Sequence, residues 1–493
     1  MKIDSADPAV TTWCELLSGA EVVLVGIPEN GPGGDAAAAA ALNGARVVFD
    51  DPAAHPARTL AALERSVATH AVLESARVAA LAAEPAADLT DLSALRTVLH
   101  IGGPAEFGEV PVVRLDLGAD GVVVPAEAHD PHDAVIAAIE SVQPAGLTRE
   151  HTAEFVARLD DAVLSSMLFA LQQHDVLTSP SVGHEVAEVL TAAGVAERHH
   201  AVVERWLTAL TERGVLARDE SRVLGADLVS ASTVDEKWAR ARRLWVNGLG
   251  DAAVVDYFRL NADHLPGLMA GTEQAALLLF PEGRTDIADA LYRHTAVARH
   301  LNAAVAAAVR ELGEPLRVME IGAGTGATSE VVFEALAGRD ADYLFTDVSS
   351  FFLTTARERF ARHGFVRYDV YDADKGNREQ GRAPGSADVV IVAGALNNAR
   401  DTDATLRRIR ELLVPGGWLL VIEPTREYLE ILVSQAFMMT AADDARLRSG
   451  TTFLSRSQWL EALASAGFTR VHVTPGDDHP LAPMSQYLFA ARR

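Results

Sequence analysis

The sequence contains a single cysteine, Cys14, among 493 residues. One cysteine excludes an internal disulfide and a zinc site built from several cysteines, and such a composition is typical of a reducing compartment. Long apolar runs are also missing, because no stretch reaches the roughly 18 residues that a membrane helix needs. The first residues are polar and have no basic segment followed by an apolar one, as a secretion signal would. We therefore expect a cytoplasmic protein without a membrane span.

Positive charge is scarce as well. Lys and Arg together number 43 against 68 Asp and Glu, so the formal net charge is −25. A chain this acidic is repelled by phosphate backbones and by anionic lipid, which argues against nucleic acid or a membrane surface as a partner. Residues 237–243 (KWARARR) form the one dense basic cluster of the sequence. This cluster either docks an acidic carrier protein or is a solvated helix face.

The length predicts about three domains at roughly 150 residues each. Residues 1–146 alternate short β-branched runs with alanine-rich segments, a pattern typical of a parallel sheet with helical crossovers. Residues 147–312 repeat apolar positions at helical spacing with almost no strand signal. Residues 313–493 return to alternating strands and helices. We predict an α/β fold with strands at 22–25, 46–49, 96–99, 110–113, 121–124, 316–321, 343–346, 389–393, 418–422 and 487–491.

The strongest motif is a glycine triad that follows an apolar strand. The strand ends at Glu320, and Gly322, Gly324 and Gly326 come next, before a helix that we expect to begin near Thr328. Glycines at this spacing let a ligand approach the backbone and permit positive φ angles. The triad alone is a weak signal, since a tight strand–helix turn or a dinucleotide site has similar spacing. No Lys follows the glycines, so a triphosphate-binding loop is not predicted.

Acidic residues follow the next two strands. Asp347 ends the strand after the triad, and a carboxylate at that position can accept hydrogen bonds from both hydroxyls of a ribose. Asp372 follows a further short strand, where a carboxylate suits an adenine amino group. A Pro-Gly-Gly turn at 415–417 then leads into another apolar strand. The carboxylate of Glu320 also favours a cationic ligand.

Together these residues resemble the Rossmann-like class I methyltransferases that depend on S-adenosylmethionine (SAM), over most of residues 314–493. The resemblance implies that SAM is the cofactor and that the three glycines of the triad line it. It also implies that Glu320 faces the methionine amino group, that Asp347 binds the ribose and that Asp372 binds the adenine.

A closer resemblance extends from about residue 148 to the C-terminus. The segments 277–283 (LLLFPEG), 347–352 (DVSSFF), 355–360 (TARERF) and 404–413 (ATLRRIRELL) are similar to the methyltransferase domains of polyketide synthases and nonribosomal peptide synthetases. In that family, helices upstream of the glycine triad form a lid over cofactor and substrate. The resemblance therefore implies a helical lid or dimerisation domain at 147–312. It makes Tyr292, beside the cofactor, and Asn302 candidate lid residues, with ordinary helix packing as the alternative.

The N-terminal zone resembles part of an adenylation domain of a peptide synthetase. The similarity lies in residues 43–55 and 95–103, whereas the Ser/Thr/Gly-rich phosphate loop and the later catalytic segments of such domains are missing. Adenylation domains interrupted by a methyltransferase domain are known. We expect no amino-acid activation here, and a role as a scaffold, as a docking surface or as a contact in a homodimer.

The catalytic residues follow from the same resemblance. Carbon-methylating domains of the synthase family commonly place a His after the fourth strand and a Glu after the fifth, as a base pair. Asn397 stands where the His is expected, and Glu423 matches the Glu. Because Asn is not a base near pH 7, either the nucleophile needs little deprotonation, as an amine, thiolate or acidic carbon would, or the base lies elsewhere. Glu423, His264 and His294 are the candidate bases, and no metal is expected.

We predict a SAM-dependent methyltransferase of nonribosomal peptide or polyketide biosynthesis. Its substrate is expected to be an amino-acid-derived or acyl group, either a small molecule or a group tethered to an acyl or peptidyl carrier protein. Two alternatives stay open, a methyltransferase of free small molecules at O, N or S, and a non-catalytic scaffold that keeps the cofactor fold. The sequence leaves open the substrate, the accepting atom and the oligomeric state.

Overall fold

A computed structural model describes residues 8–28, 32–101, 107, 110, 112–117, 123–125, 131–143, 146–439 and 442–493. The chain divides into two compact units, Met1–His132 and Asp133–Arg493. The three-domain division with boundaries after residues 146 and 312 stays a prediction. Within the described residues, no helix is both long enough and apolar enough to span a bilayer.

The first unit contains a sheet with helices packed against it. Its strands are β1 (Val22–Gly26), β2 (Arg46–Phe49), β3 (His70–Glu74), β4 (Thr97–Ile101), β5 (Val112–Leu117) and β6 (Val123–Pro125), and its helices are α1 (Pro8–Leu16), α2 (Pro32–Leu42), α3 (Pro56–Ser66) and α4 (Ser75–Ala82). The strand order is β2-β1-β3-β4-β5-β6, in which β1 to β5 run parallel and β6 is antiparallel to β5.

The parallel sheet predicted for this zone is confirmed for β1 to β5. The sequence analysis missed β3, whose apolar run covers only residues 71–73. The strand predicted at 121–124 begins with Gly121 and Val122, which lie outside the described residues. Its remainder belongs to β6, which is antiparallel rather than parallel.

The second unit begins with a helical region. Its helices are α5 (Pro131–Ser141), which starts just before the unit boundary, α6 (Arg149–Gln172), α7 (Val186–Ala192), α8 (His200–Glu212), α9 (Ala231–Val246), α10 (Ala252–Asp263), α11 (Leu265–Ala270), α12 (Ala275–Leu279), α13 (Asp286–Asp289) and α14 (Ala296–Arg310). A π-helical turn, Ala290–His294, joins α13 to α14. A small antiparallel sheet, absent from the sequence prediction, has the order β7-β9-β8 with β7 (Gly183–His184), β8 (Ala217–Asp219) and β9 (Arg222–Leu224).

The core of the helical region is rich in tryptophan. Trp206 of α8 is fully buried and its Nε1 donates to the carbonyl oxygen of Leu432 at 3.0 Å. Trp238 of α9 donates to Ser166 Oγ of α6 at 2.9 Å. Leu432 belongs to a C-terminal segment, 429–436, whose apolar residues join this core. The helical region is therefore anchored on a segment of the C-terminal sheet domain.

The C-terminal part is a mixed sheet with helices on both faces. Its strands are β10 (Leu316–Ile321), β11 (Ala341–Asp347), β12 (Val366–Val370), β13 (Ala387–Ala393), β14 (Leu413–Pro424), β15 (Thr469–Thr474) and β16 (Gln486–Arg492), and its helices are α15 (Ala327–Leu336), α16 (Ser350–Arg359), α17 (Thr402–Leu412), α18 (Leu429–Leu432), α19 (Ala445–Ser449) and α20 (Arg456–Ser465). The order is β12-β11-β10-β13-β14-β16-β15, with β16 antiparallel to its two neighbours. The predicted Rossmann-like α/β architecture is confirmed.

The strands predicted in this part correspond to β10, β11, β13, β14 and β16. The sequence analysis missed β15 and recognised β12 only as a short strand before Asp372. Both lie at the edges of the sheet, where a strand has one neighbour and keeps much of its surface in solvent, so its apolar signal is weak. The parallel order brings the carboxyl ends of β10, β11 and β12 to one edge, where ligands of open α/β sheets bind.

Candidate functional site

The glycine triad forms a turn between β10 and α15 that other residues could not make. Gly322, Gly324 and Gly326 have φ angles of 65°, 52° and 73°. A Cβ atom at Gly322 would lie 2.5 Å from the Cβ of Ala395, and one at Gly326 would lie 2.5 Å from the Phe360 ring. Positive φ and close packing therefore both require glycine at the first and third positions.

Asp347 is held against this turn. It ends β11, directly beside β10, and its Oδ2 accepts a hydrogen bond from the Gly324 N–H at 2.9 Å. Its Oδ1 accepts from the Ser349 N–H at 2.8 Å. Burial raises the pKa of the Asp347 carboxyl, and the hydrogen bonds from backbone N–H groups oppose that rise. The structure thus brings Asp347 and Gly324 together at the edge of the sheet where the sequence predicted a ribose site.

Glu320 lies near the end of β10, the strand that pairs with the strand of Asp347, but its side chain points into the protein. It is 1 % exposed, and its Oε2 accepts hydrogen bonds from the Tyr343 hydroxyl at 2.5 Å and from the Ser329 hydroxyl. Burial raises the pKa of its carboxyl to about 7, against the opposing effect of these hydrogen bonds. The contact of Glu320 with a methionine amino group stays a prediction.

Asp372 follows β12 at the same edge. β12 pairs with β11 so that Val370 lies opposite Asp347. The Asp372 carboxylate accepts from the Asp374 N–H at 3.0 Å and lies 3.1 Å from Lys375 Nζ. Its placement beside Asp347 is compatible with the predicted adenine contact, which also stays a prediction.

The predicted catalytic pair is assembled by the neighbouring strands β13 and β14. Glu423 is fully buried near the end of β14, and its Oε1 accepts from the Leu396 N–H at 2.7 Å and the Asn397 N–H at 3.4 Å. Its Oε2 accepts from Asn397 Nδ2 at 3.2 Å. Burial raises the pKa of the Glu423 carboxyl to about 7, although these donors oppose the rise. Asn397 is half-buried, so it is the more exposed member of the pair.

The loop that carries Asn397 is held by an ion pair that the sequence analysis missed. Arg446 is 3 % exposed, and its guanidinium donates to the carbonyl oxygen of Asn397 at 2.6 Å and to that of Ala399. It also pairs with Asp444, whose carboxylate accepts from Thr402 N–H at 3.0 Å. No local signal marks Arg446, because it lies 49 residues after Asn397 in a polar segment.

The candidate lid residues lie at the junction with the helical region. Tyr292 is in the π-helical turn and is 43 % exposed, but its hydroxyl end is buried, and this burial raises the pKa of the hydroxyl. Asn302 Nδ2 donates to the carbonyl oxygen of Tyr292 at 3.2 Å, and Asn302 Oδ1 accepts from the Thr328 hydroxyl at 2.8 Å. Asn302 thus joins the π-helical turn to the first turn of α15.

The two histidines considered as bases, His264 and His294, have contacts with residues other than Asn397 and Glu423. His264 Nδ1 lies 2.6 Å from Glu273 Oε2, in a partly exposed pair. His294 is exposed and lines an open cleft with Asp251 and Arg299. Among the described residues, no cluster of His, Cys, Asp and Glu could hold a metal ion.

These features fit SAM. The three glycines leave the backbone of the turn open to a ligand, and the Asp347 carboxylate lies at the end of β11. The Thr325 hydroxyl between the glycines is buried with no partner among the described residues. A buried polar atom without a partner is costly unless a ligand or water satisfies it.

Comparisons with known proteins agree with this geometry. Residues 319–419 match a family model described as a methyltransferase domain. Pyochelin synthetase PchF of Pseudomonas aeruginosa is 35 % identical over 407 residues, which cover 79 % of this chain and 22 % of that protein. Polyketide synthase ThaG of Burkholderia thailandensis is 33 % identical over 341 residues, covering 65 % of this chain and 6 % of that protein. The chain therefore spans about a fifth or less of these relatives.

Solved structures share the fold of most of this chain. The crystal structure of the CurJ carbon methyltransferase superposes with a TM-score of 0.67 at 24 % identity, covering 74 % of this chain and 99 % of that one. The trans-methyltransferase CalH, in complex with S-adenosylhomocysteine (SAH), superposes with a TM-score of 0.53 at 21 % identity, covering 71 % and 93 %. The chain thus contains a SAM-dependent methyltransferase domain with the class I fold, and it is similar to segments of a nonribosomal peptide synthetase and of a polyketide synthase.

Proposed function

We propose that this methyltransferase acts in natural-product biosynthesis and methylates the nitrogen of an amino-acid-derived acceptor. The similarity to segments of a pyochelin synthetase and a polyketide synthase supports the biosynthetic role. The accepting atom is inferred from the site, and the observation that carries the inference is the orientation of the Asn397 side-chain amide.

The two ends of that amide have different surroundings. Asn397 Nδ2 lies 3.3 Å from the carbonyl oxygen of Gly394 and 3.2 Å from Glu423 Oε2. Both partners are acceptors, so the amide nitrogen must face them and the amide cannot be flipped without losing both bonds. Within the part of the chain that the structure describes, no group donates to Asn397 Oδ1. Asn397 therefore offers a substrate a hydrogen-bond acceptor.

A neutral amine fits this arrangement better than other nucleophiles do. When bound, SAM supplies a methyl group on a sulfonium, which a neutral nitrogen can accept without first losing a proton. Asn397 Oδ1 holds the N–H of the acceptor and so aims the nitrogen lone pair. As positive charge develops on that nitrogen, its hydrogen bond to Oδ1 strengthens, which stabilises the transition state more than the ground state. The product ammonium then releases its proton to water.

Glu423 acts on the acceptor through Asn397. By accepting from Nδ2 in a buried setting, the Glu423 carboxylate polarises the amide and makes Oδ1 a stronger acceptor. An alcohol or a carbon acid would need its proton removed by a base, which Asn397 cannot supply. A thiolate has no hydrogen to give to Oδ1.

The residues proposed to hold SAM are those of the sequence analysis. The backbone of Gly322, Gly324 and Gly326 lines it, and the Asp347 carboxylate accepts hydrogen bonds from the ribose hydroxyls. Asp372 contacts the adenine. Glu320 and Tyr292 complete the predicted set.

The test uses labelled SAM with a matched series of acceptors. A secondary amine of an amino-acid derivative, its oxygen analogue and a β-keto thioester are each offered free and on a carrier protein. We expect label on the amine, and we expect Asn397→Ala to lower kcat by about 100-fold with the affinity for SAM unchanged. Asn398→Ala, a change at the exposed neighbour, is the control. Label on carbon or oxygen of the other acceptors would refute nitrogen as the accepting atom.

The same experiment addresses the mode of presentation. Label that appears only on loaded carrier supports a carrier-bound substrate, and label on the free amine supports a free small molecule. The basic cluster on α9 contributes little to carrier docking in our proposal, because Arg240 lies 3.2 Å from Glu154 and Arg242 lies 2.6 Å from Asp256. Multiple turnovers would also exclude a non-catalytic scaffold. The homodimer and the role of the first unit stay predictions.

A further inference from the structure

An arginine of the helical region reaches the glycine turn. Arg293 belongs to the π-helical turn, and its side chain is 10 % exposed. Its Nη2 donates to the carbonyl oxygen of Thr325 at 3.0 Å, and its Nη1 lies 3.5 Å from that of Gly326. The fork of one guanidinium thus spans two successive peptide groups of the turn proposed to cradle SAM.

The same guanidinium is fixed by carboxylates on both sides. Arg293 Nε donates to Asp289 Oδ1 at 3.1 Å, and Nη1 pairs with Glu330 on α15. Arg359 of α16 closes the network, at 3.3 Å from Asp289 and 3.8 Å from Glu330. Two arginines and two carboxylates leave the network neutral. Four of the five N–H donors of Arg293 bind protein groups, so Arg293 acts through the turn rather than by touching a ligand.

A second side chain ties the π-helical turn to the residues that directly follow the glycine turn. Asn302 bridges the carbonyl oxygen of Tyr292 and the Thr328 hydroxyl of α15. The π-helical turn is therefore tied to the glycine turn by Arg293 and to the first turn of α15 by Asn302. The helical region therefore contacts the proposed cofactor-binding backbone at two neighbouring places, through Arg293 and through Asn302.

We propose that Arg293 is a positioning residue for SAM, which holds the Thr325 and Gly326 peptide groups in the geometry that the cofactor needs. The turn contains three positive φ angles, and a loop of this kind loses conformational freedom when it closes on a ligand. Fixing its peptide planes beforehand removes that cost from binding. The contact of the π-helical turn with the glycine turn and the binding of the cofactor are then coupled, so that each makes the other more favourable.

Calorimetric titration with SAH tests the proposal without any knowledge of the acceptor. We expect Arg293→Gln to raise Kd about 30-fold with stoichiometry near one, and Arg293→Lys, which keeps the charge but not the fork, to raise it less. Glu330→Gln keeps the carbonyl contacts and should stay within about threefold of wild type. Arg284→Gln is the matched control, since Arg284 is an exposed arginine just before α13 that lies 3.8 Å from Asp286.

Two outcomes would overturn the proposal. One is a Kd for Arg293→Gln within twofold of wild type. The other is a lower stoichiometry at unchanged Kd, which would mean that Arg293 only supports folding. Hydrogen exchange of 286–294 measures the coupling, because SAH should slow exchange there in the wild type and not in Arg293→Gln. Equal protection in both proteins would reject the coupling. Since SAH binding requires no acceptor, failure here leaves the proposed amine methylation untouched.

Discussion

The imidazole rings of His300 and His479 pack against each other with their centroids 4.6 Å apart. His300 is 5 % exposed, and neither of its ring nitrogens has a partner among the described residues. Burial, and secondarily the neighbouring His479, lowers the pKa of His300 to about 4. Burial also lowers the pKa of His479. Both rings are therefore neutral in the folded chain at pH 7.

This pair predicts a loss of stability in mild acid. Unfolded His300 binds a proton near pH 6.5, whereas the folded chain binds it only near pH 4, so protons favour the unfolded state between these values and have no effect above them. We expect the wild type to lose about 2 kcal/mol relative to His300→Phe between pH 7 and pH 4.5. Urea unfolding at several pH values measures this, with exposed His294→Gln as the control. Parallel pH curves for wild type and His300→Phe would contradict the prediction.

A second prediction concerns Asp347. Its carboxylate organises Gly324 and Ser349 and is proposed to hold the ribose, so Asp347→Ala removes charge-assisted hydrogen bonds of roughly 2–3 kcal/mol in total. We expect Kd for SAM to rise about 30- to 100-fold in calorimetry. Asp342→Ala, on the same strand but paired with Arg367 at the surface, should leave Kd unchanged. An unaltered Kd in Asp347→Ala would remove the cofactor assignment.

The third prediction separates backbone strain from steric overlap. Gly326 and Gly338 have φ angles of 73° and 80°, but only a Cβ at Gly326 would meet another side chain, the Phe360 ring. We expect Gly338→Ala to cost about 1 kcal/mol in the free energy of unfolding. Gly326→Ala should cost about 2 kcal/mol more, because a buried ring must shift. Chemical denaturation measures both free energies of unfolding. Equal costs for the two substitutions would contradict the prediction and show that the Phe360 ring can move aside without a penalty.

The fourth prediction concerns the support of Asn397. Arg446 binds the carbonyl oxygen of Asn397 and pairs with Asp444, a forked arrangement that a lysine cannot reproduce. We expect Arg446→Lys to lower kcat about tenfold while Kd for SAM stays within twofold, because the acceptor side of the site is disturbed and the glycine turn is not. Arg448→Lys, an exposed change on the same helix, is the control. A fall in SAM affinity with unchanged kcat would contradict the assignment.

Some of the site residues could be placed from the sequence, and others could not. Asp347 and the glycines could be placed from sequence because a strand, a turn and the next strand tip are local features of parallel sheets. Asn397 and Glu423 could be predicted as a pair because the resemblance places them after the fourth and the fifth strand, which are neighbours in that fold. The direction of the Glu320 side chain could not be predicted, since it depends on the hydroxyls of Tyr343 and Ser329, which reach it from another strand and from α15.

The sequence by itself determined the class of fold, because apolar periodicity acts over a few residues. Its resemblance to SAM-dependent methyltransferases indicated the cofactor and the segment proposed to bind it. Only the tertiary structure decided which groups hold that segment in place. Arg293 meets the glycine turn across 32 residues of chain, and Arg446 meets Asn397 across 49. Arginine side chains reach far and pair with whatever carbonyl or carboxylate the packed chain presents, so their partners exist only once the chain has folded.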